Sequence, residues 1–369
     1  MVTIRFARHY RAVHITNEIG GYIIGGIASF MNQLYEGREE DTGFIHMYDP
    51  AAIPDLAAEL YPGDRDLAAI PLTETDRLAS LSFDAAVIHY YGLSFVLDES
   101  ILQGRPLIYV VHSVPTTEPF ALEAPFGDNA DVQTQFERCL FRANAIVCVS
   151  LAEADKLATL YPDMQPKIRV ISNGMSFSNT GELVRDIRCE RKVFGFLGRM
   201  DYRKGLLDCV KSFRDVDGEL RVACGREDPQ HLSEILLYRE AAGLTEKVKF
   251  YGWCQGARKQ SFLQSLDALI VPSLYEPFGY VVLEAMDVGV PILCSKRGGI
   301  AEIVGNYRFQ FDPYEKGALE AAIRDFQEAD EDVLREELSG LQRRKPYFTS
   351  ERMRKAYGDL VKEVTAGTQ

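Results

Sequence analysis

Residues 268–286 read ALIVPSLYEPFGYVVLEAM, and this stretch decides the fold. Four apolar residues, ALIV, have the length and composition of a buried strand. Pro272 ends the run, a polar loop follows, and a helical pattern begins between Pro277 and Gly279. A helix start presents unpaired backbone N–H groups and the positive end of a dipole, which suits phosphate or sugar oxygens. Gly279 permits close backbone approach. Glu276 falls in the loop and Glu284 on the second helical turn. Their spacing alone is common, and a capping role for Glu276 with a solvated Glu284 accounts for it equally well.

The same strand–loop–helix unit repeats outward in both directions. Short apolar runs occur at 2–7, 44–49, 85–92, 106–113, 145–150 and 167–174 in the first half. In the second half they occur at 192–199, 220–226, 248–253, 268–273, 291–295 and 308–313. Amphipathic segments such as GGIASFMNQLYEG, LLDCVKSFRDV and ARKQSFLQSLDAL lie between them. Strands alternating with helices predict parallel sheets covered on both faces, an α/β architecture of two doubly wound, Rossmann-like domains. The alternation pauses over polar residues 175–191, read as a linker. Domains of 1–174 and 175–346 follow, with a helical tail at 347–369 that could pack back on the N-terminal domain.

The 369 residues fit two such domains. Of the net charge of −13, residues 1–170 carry 12 Lys and Arg against 23 Asp and Glu, and the rest 29 against 31. An acidic first half argues against a nucleic-acid partner, whose binding needs cations on phosphates, and against docking on an anionic membrane. It suits a neutral or cationic partner, although such charge also simply solvates a surface. The seven cysteines form no C-x-x-C pair and read as small buried hydrophobes of a reducing compartment. No signal peptide or membrane span is recognised, so the expected location is cytoplasmic.

Open parallel sheets bind ligands beyond the carboxyl ends of their strands. Four further groups pass that filter. KVFGFLGRMDYRKG (192–205) carries Arg199, Arg203 and Lys204 from a strand end into a helix start, where a guanidinium fork and an ammonium suit a diphosphate; an ordinary basic turn is the alternative. GGYIIGGI (20–27) holds Gly25 and Gly26 at the first helix, without the G-x-G-x-x-G of dinucleotide enzymes. His112 and His89 follow apolar runs, and a structural role is the simpler reading of each. No H-E-x-x-H or D-x-D occurs, so no metal site is expected.

Together these segments resemble the retaining glycosyltransferases of family 4, which have the GT-B fold. EPFGYVVLEAMDVGVPILCSKRGGIAEIV is similar to that family's E-x7-E helix, G-x-P strand and GG-x-x-E-I-V segment. GFLGRMDYRKG is similar to its G-R-x-x-x-x-K-G turn, VISNGM to its interdomain N-G segment, and GGIASFMNQL to its first helix. The match is good over 168–312 and loose before that.

The resemblance implies two domains facing across a cleft and a nucleoside-diphosphate-sugar donor, with no metal required. Arg199 and Lys204 would hold the diphosphate in place of a divalent cation. Glu284 would bind the ribose, and Glu276 would lie near the donor sugar. The backbone at Phe278, Gly279 and Tyr280 would contact sugar and phosphate. Gly25 or Gly26 would approach from the other domain, His112 would face donor sugar and acceptor, and Trp253 and Cys254 would lie near the base. His112, Arg199, Lys204 and Glu276 are the expected catalytic group. Domain closure would then exclude water from the transfer. The family's glycine-rich turn after the second C-domain strand is replaced here by ACGRED, with Arg226 and Glu227, which puts base recognition in question.

The acceptor is expected to be a soluble glycan or small molecule. The principal alternative is an inactive sugar-nucleotide-binding subunit. A dehydrogenase lacks support without the dinucleotide fingerprint, and a phosphorylase lacks support without a pyridoxal lysine segment.

Overall fold

A run such as LIYVV (107–111) has no polar face, and a strand of that kind is stable only when both sides of its sheet are covered. The computed structural model, which describes residues 8–18, 26–51, 66–115, 130–179, 190, 192–225 and 228–367, places every residue of this run in the interior. The chain forms two compact units, one of residues 1–176 with 349–369, the other of residues 177–348.

The first unit is a sheet of seven parallel strands: β1 (Tyr10–Thr16), β2 (Thr42–Tyr48), β3 (Leu67–Pro71), β4 (Phe83–Ile88), β5 (Leu107–Val111), β6 (Ala145–Cys148) and β7 (Ile168–Val170). Their order is β3-β2-β1-β4-β5-β6-β7, so the winding reverses between β1 and β4. The run at 2–7 and Gly25 lie outside the described residues. The strand that the sequence pattern hid is β1, because Arg11, His14 and Thr16 interrupt its apolar residues. His14 and Thr16 are nevertheless buried. β3 was hidden too, being alanine-rich and ending on a proline.

Helix Gly26–Glu36 inserts Ala28, Phe30, Met31 and Leu34 against this sheet. Helix Leu151–Leu160 starts at an N-cap, in which the Ser150 hydroxyl accepts from the Glu153 amide (3.2 Å). The Glu153 carboxylate in turn accepts from the Val114 amide (2.6 Å).

The tail forms helix Ser350–Ala366, capped by Thr349, and belongs to the first unit. Met353, Tyr357, Leu360 and Val361 make one buried stripe at helical spacing. The Met175–Thr349 bridge, a Ser176–Ser350 hydroxyl pair (2.8 Å) and an Arg354 bond to the Gln33 carbonyl (2.8 Å) hold it there.

The second unit holds six parallel strands: β8 (Val193–Gly198), β9 (Glu219–Cys224), β10 (Val248–Phe250), β11 (Ala268–Val271), β12 (Ile292–Ser295) and β13 (Gln310–Phe311), ordered β10-β9-β8-β11-β12-β13. The winding reverses between β8 and β11, which pair directly. Each sheet is thus doubly wound, with one switch point.

Among the described residues, no helix is long and apolar enough to cross a membrane, and the six cysteines are free and buried.

Candidate functional site

Neighbouring strands β8 and β11 send their connections to opposite sides, which opens a crevice at their carboxyl ends. The loops leaving them carry the two charged segments of the sequence reading. β8 runs into Arg199–Gly205 and β11 into Pro272–Gly279.

Several contacts fuse these loops. The Leu274 amide donates to the Arg203 carbonyl (2.8 Å), and the Gly299 amide, from the segment after β12, ties down the second loop through the Glu276 carbonyl (2.8 Å). Gly205 has φ +68°, and a β-carbon there would lie 2.2 Å from the Pro272 carbonyl oxygen. Only glycine lets the two loops approach so closely.

Within this frame the Lys204 ammonium is salt-bridged to the Glu276 carboxylate. The buried Ser273 hydroxyl lies 3.3 Å from the same carboxylate oxygen. Arg203 is committed elsewhere, forking onto Asp201 at 3.0 and 2.5 Å. Burial of Asp201 opposes its ionisation, but the Arg203 fork and nearby Lys204 outweigh it and leave the carboxyl below its ordinary range. Asp201 also accepts from the Arg203 amide and so shapes the turn. Arg199 is 4.0 Å from Asp201 and 42% exposed, so its guanidinium is held only loosely by that carboxylate.

Phe278 is buried, Gly279 precedes helix Tyr280–Val288, and the Phe278 and Tyr280 rings meet edge to face. Glu284, one turn in, is paired with Lys259 at 2.6 Å. Lys259 has no signal in the sequence, because the pair joins two helices across 25 positions. Asp201 and Ser273 were equally hidden, as short polar residues in ordinary loops.

Trp253 and Cys254 follow β10 on the same side of the sheet. Cys254 is buried, its thiol on the Gly252 carbonyl (3.8 Å), so it offers a ligand mainly backbone. The Trp253 indole N–H is buried without a partner among the described residues. Arg226 and Glu227 lie outside them.

The remaining two candidates belong to the first unit. Gly26 is the exposed first residue of helix Gly26–Glu36. His112 follows β5 and is hydrogen-bonded to His89, which follows β4 (3.1 Å). Burial pushes the His112 imidazole down to about 3 and His89 well below its usual value. Both rings are therefore neutral at pH 7.

A family model described as "Glycosyl transferases group 1" matches residues 184–339, which contain the whole of this crevice. Residues 184–339 are a glycosyltransferase domain of group 1. An uncharacterized glycosyltransferase of Methanocaldococcus jannaschii, MJ1607, is 29% identical to the chain over 210 residues, 53% of each protein. The alpha-maltose-1-phosphate synthase of Mycobacterium tuberculosis is 26% identical over 267 residues, 66% of this chain and 68% of the synthase. The chain thus spans about half the length of the first of these relatives and about two thirds of the second. Solved structures match over nearly the whole chain. Anabaena Alr3699/HepE, in complex with UDP and glucose, superposes with a TM-score of 0.73 at 18% identity, covering 96% of this chain and all of that one. Sucrose-phosphate synthase from Thermosynechococcus elongatus gives 0.74 at 19% identity, covering 98% of this chain and all of its own. The fold is that of these proteins, GT-B. In the glycosyltransferase domain, then, the Lys204–Glu276 pair occupies the switch point of the sheet, and the Glu284–Lys259 pair the helix leading away from it.

Proposed function

We propose that the chain transfers a sugar from a nucleoside-diphosphate-sugar to an acceptor hydroxyl, with retention of configuration and without a divalent metal. What carries the reading is the Lys204–Glu276 pair at the switch point, beside a helix start and a half-exposed Arg199. When the glycosidic bond to the diphosphate breaks, negative charge grows on the leaving phosphate. Lys204 and Arg199 stabilise that charge, which is the task a metal performs elsewhere. The helix start at Gly279–Tyr280 adds backbone donors. Glu276 orients the Lys204 ammonium and accepts from sugar hydroxyls, and Glu284 accepts from the ribose. The acceptor hydroxyl attacks on the face the diphosphate leaves, passing its proton to the departing phosphate, so no protein nucleophile is required. HepE was solved with UDP, which makes uridine donors the first to test.

The acidic first unit favours a soluble acceptor, neutral or cationic, such as an aminosugar, and the chain works in the cytoplasm. The test is a panel of nucleotide sugars assayed for hydrolysis and then for transfer, with EDTA present and the product anomer read by NMR. Turnover in EDTA with a retained anomer supports the reading. Loss of activity in EDTA restored by magnesium, or an inverted product, overturns that part of it. A strict requirement for anionic vesicles overturns the soluble acceptor.

A further inference from the structure

His112 is the end of a longer array. The His89 ring bonds His112 through Nδ1 (3.1 Å) and His14 through Nε2, whose partner is His14 Nδ1 (2.9 Å). Three imidazoles from β1, β4 and β5 are thus joined edge to edge at the switch point of the first unit. His14 and His89 are 2% and 1% exposed, and aromatic rings box them in. Phe30 lies against His89 and His112, Phe44 stacks on His14, and Tyr357 meets His14 edge-on. His14 also lines a pocket with Arg11, Arg38, Glu39, Asp41 and Arg354.

A neutral imidazole carries one N–H and one bare nitrogen. Each contact in the array joins an Nδ1 to an Nε2, so fixing one ring fixes all three. If His14 carries its proton on Nδ1, then so do His89 and His112; if on Nε2, all three carry it there. Two facts select the second state. Nε2–H is the ordinary tautomer of a neutral histidine. The pocket guanidiniums already have acceptors, Arg11 on Asp41, Arg38 on Asp66 and the Tyr35 carbonyl, and Arg354 on the Gln33 carbonyl, so they are not driven to donate to His14.

We infer that His14 and His89 are positioning residues that lock His112 in the Nε2–H tautomer, so that its Nδ1 lone pair is held ready to accept a hydrogen bond from a hydroxyl of a bound sugar. Burial supports this by keeping all three rings uncharged, since a charged member would break the alternation. The lock gives a physical reason for two buried histidines in a core of aromatic and aliphatic side chains: removing either leaves a desolvated N–H or lone pair. The role at the sugar rests on the proposed transferase activity, whereas the tautomer does not.

The full chain labelled with 15N at its six histidines tests both, by long-range 1H–15N correlation at pH 7. The wild-type protein is expected to show three rings in the Nε2–H pattern, identified by their loss in His14→Phe, His89→Phe and His112→Phe. In His89→Phe the two nitrogens of His112 shift towards tautomer-averaged positions. An Nδ1–H pattern for any of the three in the wild type, or a His112 signal unmoved in His89→Phe, overturns the lock. If His89→Phe does not fold, the wild-type spectrum still decides, and His14→Phe repeats the test with His89 as reporter. In assays, His89→Phe is expected to lower kcat/KM by about tenfold, the scale of one lost hydrogen bond, with unchanged affinity for a nucleoside diphosphate. Unchanged kcat/KM overturns the role at the sugar, while inactivity of the wild type on every nucleotide sugar overturns the functional reading and leaves the tautomer result standing.

Discussion

Lys204 and Glu276 form an ion pair across the switch point of the second sheet, one from the loop after β8 and one from the loop after β11. The ammonium is 23% exposed and the carboxylate 14%, so a ligand entering the crevice meets a cation already held in place. Lys204→Ala is expected to lower turnover at least about tenfold, roughly 1.4 kcal/mol of transition-state stabilisation. Circular dichroism is expected to show an intact fold. Near wild-type turnover in a folded variant removes Lys204 from the mechanism.

Glu284 is neutralised by Lys259 at 2.6 Å, yet a carboxylate has room for further donors. Glu284→Gln keeps the shape and loses the charge. Calorimetry with a nucleoside diphosphate is expected to show binding weakened about tenfold, in the range of a hydrogen bond to a charged group. Unchanged affinity places the ribose elsewhere.

Gly298 adopts φ +64°, ψ −149°, a region that other residues avoid, and a β-carbon there would stand 2.2 Å from the Glu276 carbonyl oxygen. Gly298→Ala is therefore expected to cost about 1–3 kcal/mol through backbone strain alone. Thermal unfolding checks this, and donor turnover should fall with it, because relief of the clash moves Glu276. A variant as stable as the wild type shows that the loop yields freely.

His14 remains neutral in the folded protein down to about 3, because burial disfavours its charged form, whereas an unfolded histidine protonates near 6.5. Above pH 6.5 protonation favours neither state. As pH falls below that value the unfolded chain binds the proton first, so stability declines until the folded pKa is reached. Urea titrations at pH 7, 6 and 5 are expected to show a loss approaching about 1.4 kcal/mol per pH unit from this residue. His14→Phe should remove that share of the slope. An identical slope in the variant contradicts a neutral, buried His14.

The doubly wound character was legible because strands such as ALIV (268–271) and LIYVV (107–111) are buried on both faces and therefore apolar throughout. YRAVHIT (10–16) was not, since a buried histidine looks like a surface residue until its bonding partner, 75 positions away, is known. The site divides in the same way. Lys204 and Glu276 stood out because each follows an apolar run at a loop–helix junction. Asp201, Ser273 and Lys259 matter only through what they touch, and local pattern carries no record of a contact made through folding.

The first unit is interrupted in sequence by the second, and its Tyr357, packed on His14, comes after all of residues 177–348. On the ribosome the order of completion is thereby reversed: the inserted unit can finish while the unit that began first still lacks a helix. During that interval the surface awaiting Met353, Tyr357 and Leu360 is open to water, where apolar faces invite association. Arresting translation just before Thr349 should therefore give nascent chains whose inserted unit resists proteolysis while the first unit is cleaved and holds chaperones. Emergence of helix Ser350–Ala366 is then the event that closes the first unit.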